Sequence, residues 1–138
     1  MLDKSNLHHY QEKAVEHIID KNKCALFLDL GLGKTITTLT AIEELMYDRF
    51  EISKVLLIAP LRVCNTVWEV EAKNWEHTKR LKFTNLAGGK NNMLTGLQRS
   101  SDIYLINREN VKALVDYHKG KLPFDMIVID ESSSFKSP

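Results

Sequence analysis

Cysteine is scarce: Cys24 and Cys64 are the only two in 138 residues, each inside an apolar stretch and neither with a CxxC partner. A disulfide framework and a thiolate metal site are therefore excluded, and a reducing, intracellular setting is expected. Glycine (6) and proline (3) are few as well, which excludes collagen-like and low-complexity chains. An excess of one charge is also missing, because 19 Lys and Arg face 18 Asp and Glu, for a net charge of +1. No global basic field draws the chain to nucleic acid or membrane, so any such partner has to be argued from local sites. No apolar run approaches the ~18 residues of a membrane span, and the opening MLDKSNLHHY lacks the basic and apolar regions of a signal peptide. A cytoplasmic protein with no membrane partner is expected. The five histidines are scattered, with no HxxxH or HExxH spacing, so no transition-metal site is read.

What is present is the composition of one ordinary domain spanning 1–138, with 43% hydrophobic and 27% charged residues. Short aliphatic or β-branched runs at 24–28 (CALFL), 54–59 (KVLLIA), 81–84 (LKFT), 102–106 (DIYLI) and 124–129 (FDMIVI) alternate with longer helix-like stretches. That rhythm predicts an α/β fold, a parallel sheet covered by helices in three layers. Helical spacing recurs in Leu7, Tyr10, Ala14 and Ile18, in Cys64, Trp68, Ala72 and Trp75, and in Val111, Leu114, Val115 and His118. The Trp68 and Trp75 spacing favours core packing over base stacking. VLLIA and MIVI are apolar throughout, which predicts strands at the sheet centre with both faces covered. Pro60, Gly88, Gly89, Gly120 and Pro123 fall between elements as breakers.

The stretch DLGLGKT, Asp29 to Thr35, follows a strand-like run and opens a helix in which Ile36, Leu39, Ile42 and Leu45 recur. Gly31 and Gly33 have no Cβ, so the backbone between strand and helix can turn tightly and aim its N–H groups at an anion. Lys34 supplies a mobile charge for the β and γ phosphates of a nucleotide, and the Thr35 hydroxyl is placed to ligate Mg²⁺. The full GxxxxGK[ST] pattern would have glycine where Leu28 stands, so the match is GxGKT.

An acidic pair stands where a phosphate-loop enzyme needs one, since the apolar strand MIVI runs directly into Asp130 and Glu131. In an open parallel sheet both would lie at the C-terminal edge, where ligands bind and where the loop after the first strand also lies. Asp130 would hold Mg²⁺ through a water, and Glu131 would orient the water that attacks the γ phosphate.

Together these residues resemble the first RecA-like lobe of superfamily 2 helicases, and among them the Swi/Snf-like DNA translocases with their short phage and bacterial relatives. LHHYQEKAV, Leu7 to Val15, looks like the adenine-recognising Q motif, with Gln11 reading the adenine edge. DLGLGKT resembles motif I, whose usual form in that family is also GLGKT. It implies that Gly31, Leu32, Gly33, Lys34, Thr35 and Ile36 contact the nucleotide. Ile58 to Trp75 is similar to motif Ia, whose loop touches a DNA phosphate backbone, and INREN, Ile106 to Asn110, has a weaker likeness to motif Ib. DESSSFKS, Asp130 to Ser137, looks like motif II with Ser133 in the usual histidine position.

The resemblance implies an ATP-binding lobe that uses ATP and Mg²⁺, with Lys34 and Glu131 catalytic and Thr35 and Asp130 at the metal. Its partner would be duplex DNA, held without sequence preference by candidate phosphate contacts at Arg62, Arg108, Lys73 and the Gly88-Gly89-Lys90 turn. It also implies an incomplete lobe. Motif III, the rest of the lobe and a second RecA-like lobe with its arginine fingers would follow Pro138, so hydrolysis by this piece alone should be near background. In such lobes the strand after motif II inserts between the phosphate-loop strand and the acidic strand. Without it, the sheet is expected to close in a changed strand order, exchange elements with a neighbour, or be marginally stable. Two alternatives stay open: a small-molecule kinase using the same loop, and a non-catalytic nucleotide- or DNA-binding module.

Overall fold

The computed structural model describes residues 25–28, 34–119 and 122–130. The expected helix around Leu7, Tyr10, Ala14 and Ile18, together with Gln11, the loop 29–33 and the residues from Glu131 onward, lies outside the described residues. Five parallel strands form one sheet: β1 Ala25–Leu28, β2 Val55–Ala59, β3 Phe83–Asn85, β4 Ile103–Asn107 and β5 Met126–Asp130, in the order β1-β5-β2-β4-β3. Each falls on or within two residues of a run read from the sequence.

The strands alternate their side chains between two apolar layers, as a pleated strand must. Val55, Leu57 and Ala59 of β2, Ile103 and Leu105 of β4, and Met126 and Val128 of β5 share one layer. Helix α1, Lys34–Glu43, packs there with α2, Leu61–Thr66, and α3, Trp68–Lys73. Leu56 and Ile58 of β2 with Tyr104 and Ile106 of β4 face the other way, against α4, Lys90–Leu97, and α5, Val111–Tyr117. The result is the expected three-layer sandwich.

Ile36, Leu39, Ile42 and Leu45 are all buried, as their spacing predicts, and so are Thr37, Thr38 and Thr40 on the remaining faces of α1. A helix enclosed this completely is an internal element, and its polar groups are bonded: Thr40 Oγ1 donates to Ile36 O at 2.8 Å and meets His77 Nε2 at 2.7 Å. At its C-terminal end buried Glu43 pairs with Arg80 at 2.6 Å, and the Arg80 guanidinium lies 4.6 Å from the centre of the Tyr47 ring.

Two expectations need correction. The helix expected through Cys64, Trp68, Ala72 and Trp75 is split at Val67, whose φ of −109° departs from helical geometry. All four residues are buried on either side of the break. β5 is not covered equally on its two faces. Met126 and Val128 are buried while Ile127 and Ile129 are half-buried, because the described helices of the second layer sit over β2, β3 and β4. β1 and β5 are hydrogen-bonded neighbours, from Ala25 opposite Ile127 to Leu28 opposite Asp130. Among the described residues no strand lies between them.

Candidate functional site

Because the strands are parallel, every one ends at the same edge. The register sets Leu28 of β1 opposite Asp130 of β5, and Ala59 of β2 opposite Asn107 of β4. β1 ends at Leu28, opposite Asp130, and α1 begins at Lys34. Thr35 and Ile36 lie in the first turn of that helix. Thr35 is half-buried and Ile36 is packed into the core.

Asp130 is fully buried on the α1 face of the sheet, and two distant segments hold it. Trp68 Nε1 donates to its Oδ2 at 3.1 Å, and Arg108 Nη2 donates to its backbone oxygen at 2.8 Å. Trp68 opens α3, and Arg108 opens a single 3₁₀ turn, Arg108–Asn110, straight after β4. Since β2 lies between β4 and β5, the Arg108 side chain spans the strand that leads into Pro60. A buried carboxylate must be hydrogen-bonded or neutralised, and the Trp68 indole N–H supplies one such bond. Cys64 nearby donates to Ala59 O at 3.7 Å, and burial, with a smaller contribution from Asp130, pushes its thiol up to about 12. It is a packing group and not a nucleophile.

Farther along the edge, asparagines fasten the turn after β3. Asn85 Nδ2 donates to Asn65 Oδ1 at 2.7 Å and Asn85 Oδ1 accepts from Ala87 N at 2.9 Å. Asn92 Nδ2 donates to Ala87 O, and Asn110 Nδ2 to Gly88 O, both at 2.7 Å. Gly88 itself has φ +104°, a backbone state few L-residues adopt. Asn107 Nδ2 donates to Glu109 Oε1 at 2.9 Å, and Glu109's own backbone N–H together with that amide holds its carboxyl below the usual range. These links were missed in the sequence reading, although asparagine closing both β3 and β4 is a readable turn signal.

The cations expected at DNA are disposed differently. Arg62 and Lys90 are exposed at this edge, Lys73 is exposed but paired with Glu69 at 3.2 Å, and Arg108 is half-buried and turned toward Asp130. Trp68 and Trp75 are buried, with the Trp75 indole N–H on Glu71 at 2.9 Å, as the core reading required. The oxygen donors offered for a metal, a threonine hydroxyl and a carboxylate, are hard ligands of the kind Mg²⁺ takes. Among the described residues no helix is long and apolar enough to cross a membrane.

A parallel sheet between two helical layers, with a buried aspartate ending β5, is the architecture of RecA-like, helicase-type lobes. Residues 10–138 match the model of the SNF2-related domain, and the chain belongs to that family. It is 32% identical over 129 residues to protein p41 of Acyrthosiphon pisum secondary endosymbiont phage 1, covering 93% of this chain and 28% of that protein. It is 28% identical over 145 residues to the bifunctional helicase and thymine dioxygenase JBP2 of Trypanosoma cruzi, covering 92% of this chain and 13% of that protein. The chain thus spans about a quarter or less of these relatives' lengths. Among solved structures, a nuclease-deletion mutant of the type ISP restriction-modification enzyme LlaGI, in complex with a DNA substrate mimic, aligns at TM-score 0.43 and 25% identity. That alignment covers 89% of this chain and 10% of that one.

Proposed function

We propose that this chain is the nucleotide-binding lobe of an intracellular, DNA-dependent ATPase of the helicase and translocase kind, which couples ATP hydrolysis to movement on duplex DNA without sequence preference. The observation that supports this reading is the shared edge of the parallel sheet at which β1 ends in Leu28, just before the glycine-rich sequence, and β5 ends in buried Asp130.

In this reading the whole of 1–138 is one lobe. The backbone N–H groups of Gly31, Leu32, Gly33, Thr35 and Ile36 surround the phosphates at the start of α1, where the helix dipole favours an anion. Lys34 neutralises charge on the β and γ phosphates, and Gln11 reads the adenine edge. Thr35 and Asp130 would hold Mg²⁺, which when bound draws charge from the phosphate oxygens. Glu131 orients the attacking water and accepts its proton. Arg62 and Arg108 stand nearest to the DNA phosphates, Arg108 with one N–H already given to Asp130. A second RecA-like lobe supplies the arginine fingers, so this lobe alone hydrolyses ATP at close to background rate.

The test is ATPase activity of the full-length protein with and without DNA. Glu131→Gln should bind Mg-ATP yet not turn over. DNA-independent turnover would favour a kinase, binding with no turnover would favour a non-catalytic module, and normal turnover by Glu131→Gln would reassign the base.

A further inference from the structure

The two segments that hold Asp130 are the same two that carry the candidate DNA cations. The α2 and α3 pair begins with exposed Arg62 and, after the break at Val67, delivers the buried indole of Trp68 to the Asp130 carboxylate at 3.1 Å. The turn after β4 delivers Arg108 to the Asp130 carbonyl at 2.8 Å. That carbonyl is the main-chain oxygen that ends β5, so the Arg108 bond restrains the last peptide of the strand. One residue thus receives a carboxylate contact from one edge segment and a main-chain contact from another. Both arms are short and direct, and the Trp68 arm is enclosed in the core.

Resting on the function proposed above, the geometry points to Trp68 and Arg108 as positioning residues that transmit DNA engagement at this edge to the acidic pair. A displacement of α2 on meeting phosphate moves the indole against Oδ2. A displacement of the 108–110 turn tilts the Asp130–Glu131 peptide. Each shifts the acidic pair toward or away from the geometry that binds Mg-nucleotide, and by linkage the nucleotide changes DNA affinity by the same factor. Trp68 itself has no exposed surface with which to touch DNA, so an effect of its indole N–H on the response to DNA has to pass through Asp130.

The experiment is calorimetric titration of the full-length protein with Mg-ADP, in the absence of DNA and at saturating 20-base-pair duplex, with DNA affinity measured separately for each variant. In the unaltered protein DNA should change the Mg-ADP Kd by about fivefold or more, the lower range of allosteric couplings. Trp68→Phe, which keeps the ring and removes the N–H, should bring that ratio to within about twofold of one with DNA affinity retained. Arg108→Gln should do the same at saturating DNA, and Arg108→Lys, which keeps a donor, should restore part of it. A purely structural role would weaken both Kd values together and leave their ratio alone. A ratio unchanged in Trp68→Phe and Arg108→Gln, or absent from the unaltered protein, would overturn the inference. Failure of the unaltered protein to bind Mg-ADP at all would instead overturn the parent reading. If Trp68→Phe does not fold, the Arg108 pair decides the question.

Discussion

Gly96 offers a prediction whose sign the structure determines. It is the penultimate residue of α4, the helix that follows the Gly88-Gly89 turn, and it faces β3. A Cβ built on it would lie 2.6 Å from Leu86 Cδ2 and 2.9 Å from Thr84 Cγ2, closer than carbon atoms approach without something moving. Neither neighbour can withdraw easily, because Leu86 is fully enclosed and Thr84 is buried with its hydroxyl bonded to Ser101. Gly→Ala in a helix interior gains up to ~1 kcal/mol from propensity, less near the helix end, whereas overpacking a closed core costs ~1–3 kcal/mol. The net expectation for Gly96→Ala is a loss of about 1–2 kcal/mol, or a melting temperature lower by roughly 3–8 °C for a chain of this size. Gly89→Ala is the control: no atom lies within 4 Å of its Cβ position and its φ of −99° suits any residue. It should stay within about 0.5 kcal/mol. Urea unfolding of the three proteins is the assay. A Gly96→Ala protein as stable as the parent would refute the close seating of α4 on β3, and with it the positioning of the turn at the edge.

Gly88→Ala should cost about 1 kcal/mol or more, since φ +104° is strained for a side chain even where space is open; the same urea series reads it. In a Cys24→Ser background, Cys64 should resist alkylation at pH 8 until the protein unfolds, because its thiol sits at about 12 and is buried. Rapid labelling of folded protein would contradict this. A thiol raised from 9.0 to about 12 contributes stability that is complete below pH 9 and lost as pH climbs toward 12. Cys64→Ala should therefore flatten that part of the alkaline limb in denaturation curves taken at successive pH values. Arg80→Ala removes the ion-pair partner of buried Glu43 and the cation over Tyr47, and should cost about 1–3 kcal/mol in the same unfolding assay. Asp130→Asn should weaken the Mg²⁺ dependence of nucleotide binding, read by titrating Mg²⁺ at fixed ADP; an unchanged Mg²⁺ requirement would move the metal elsewhere.

Much of the architecture was legible because the chain announces its layers in two simple periods. VLLIA is apolar along its whole length and IYLI nearly so, and β2 and β4 are buried on both faces. Ile36, Leu39, Ile42 and Leu45 recur at helical spacing and all point into the core. MIVI carried the same signal but ended with one face half-buried, because sequence composition reports what a strand could bury and not what covers it. The break at Val67 was illegible for a related reason: a departure from helical φ at one residue leaves no compositional mark. At the edge, the sequence pointed to Asp130 for a metal by its place after an apolar strand, and to Arg108 for DNA through the family resemblance. That Arg108 reaches across β2 to the Asp130 carbonyl, and that a core tryptophan donates to its carboxylate, depends on strand order. Contacts between residues 22 and 62 positions apart in sequence are a property of the fold and not of any local pattern.

The central claim is that a nucleotide's phosphates sit between the loop after β1 and the end of β5. Calorimetric titration of Mg-ADP into the parent protein and into Lys34→Ala tests it most directly, with Gly89→Ala as a folded control. The parent and the control should show saturable binding of one nucleotide per chain, and Lys34→Ala should lose that binding with its melting temperature retained. Equal affinity in parent and Lys34→Ala would contradict it.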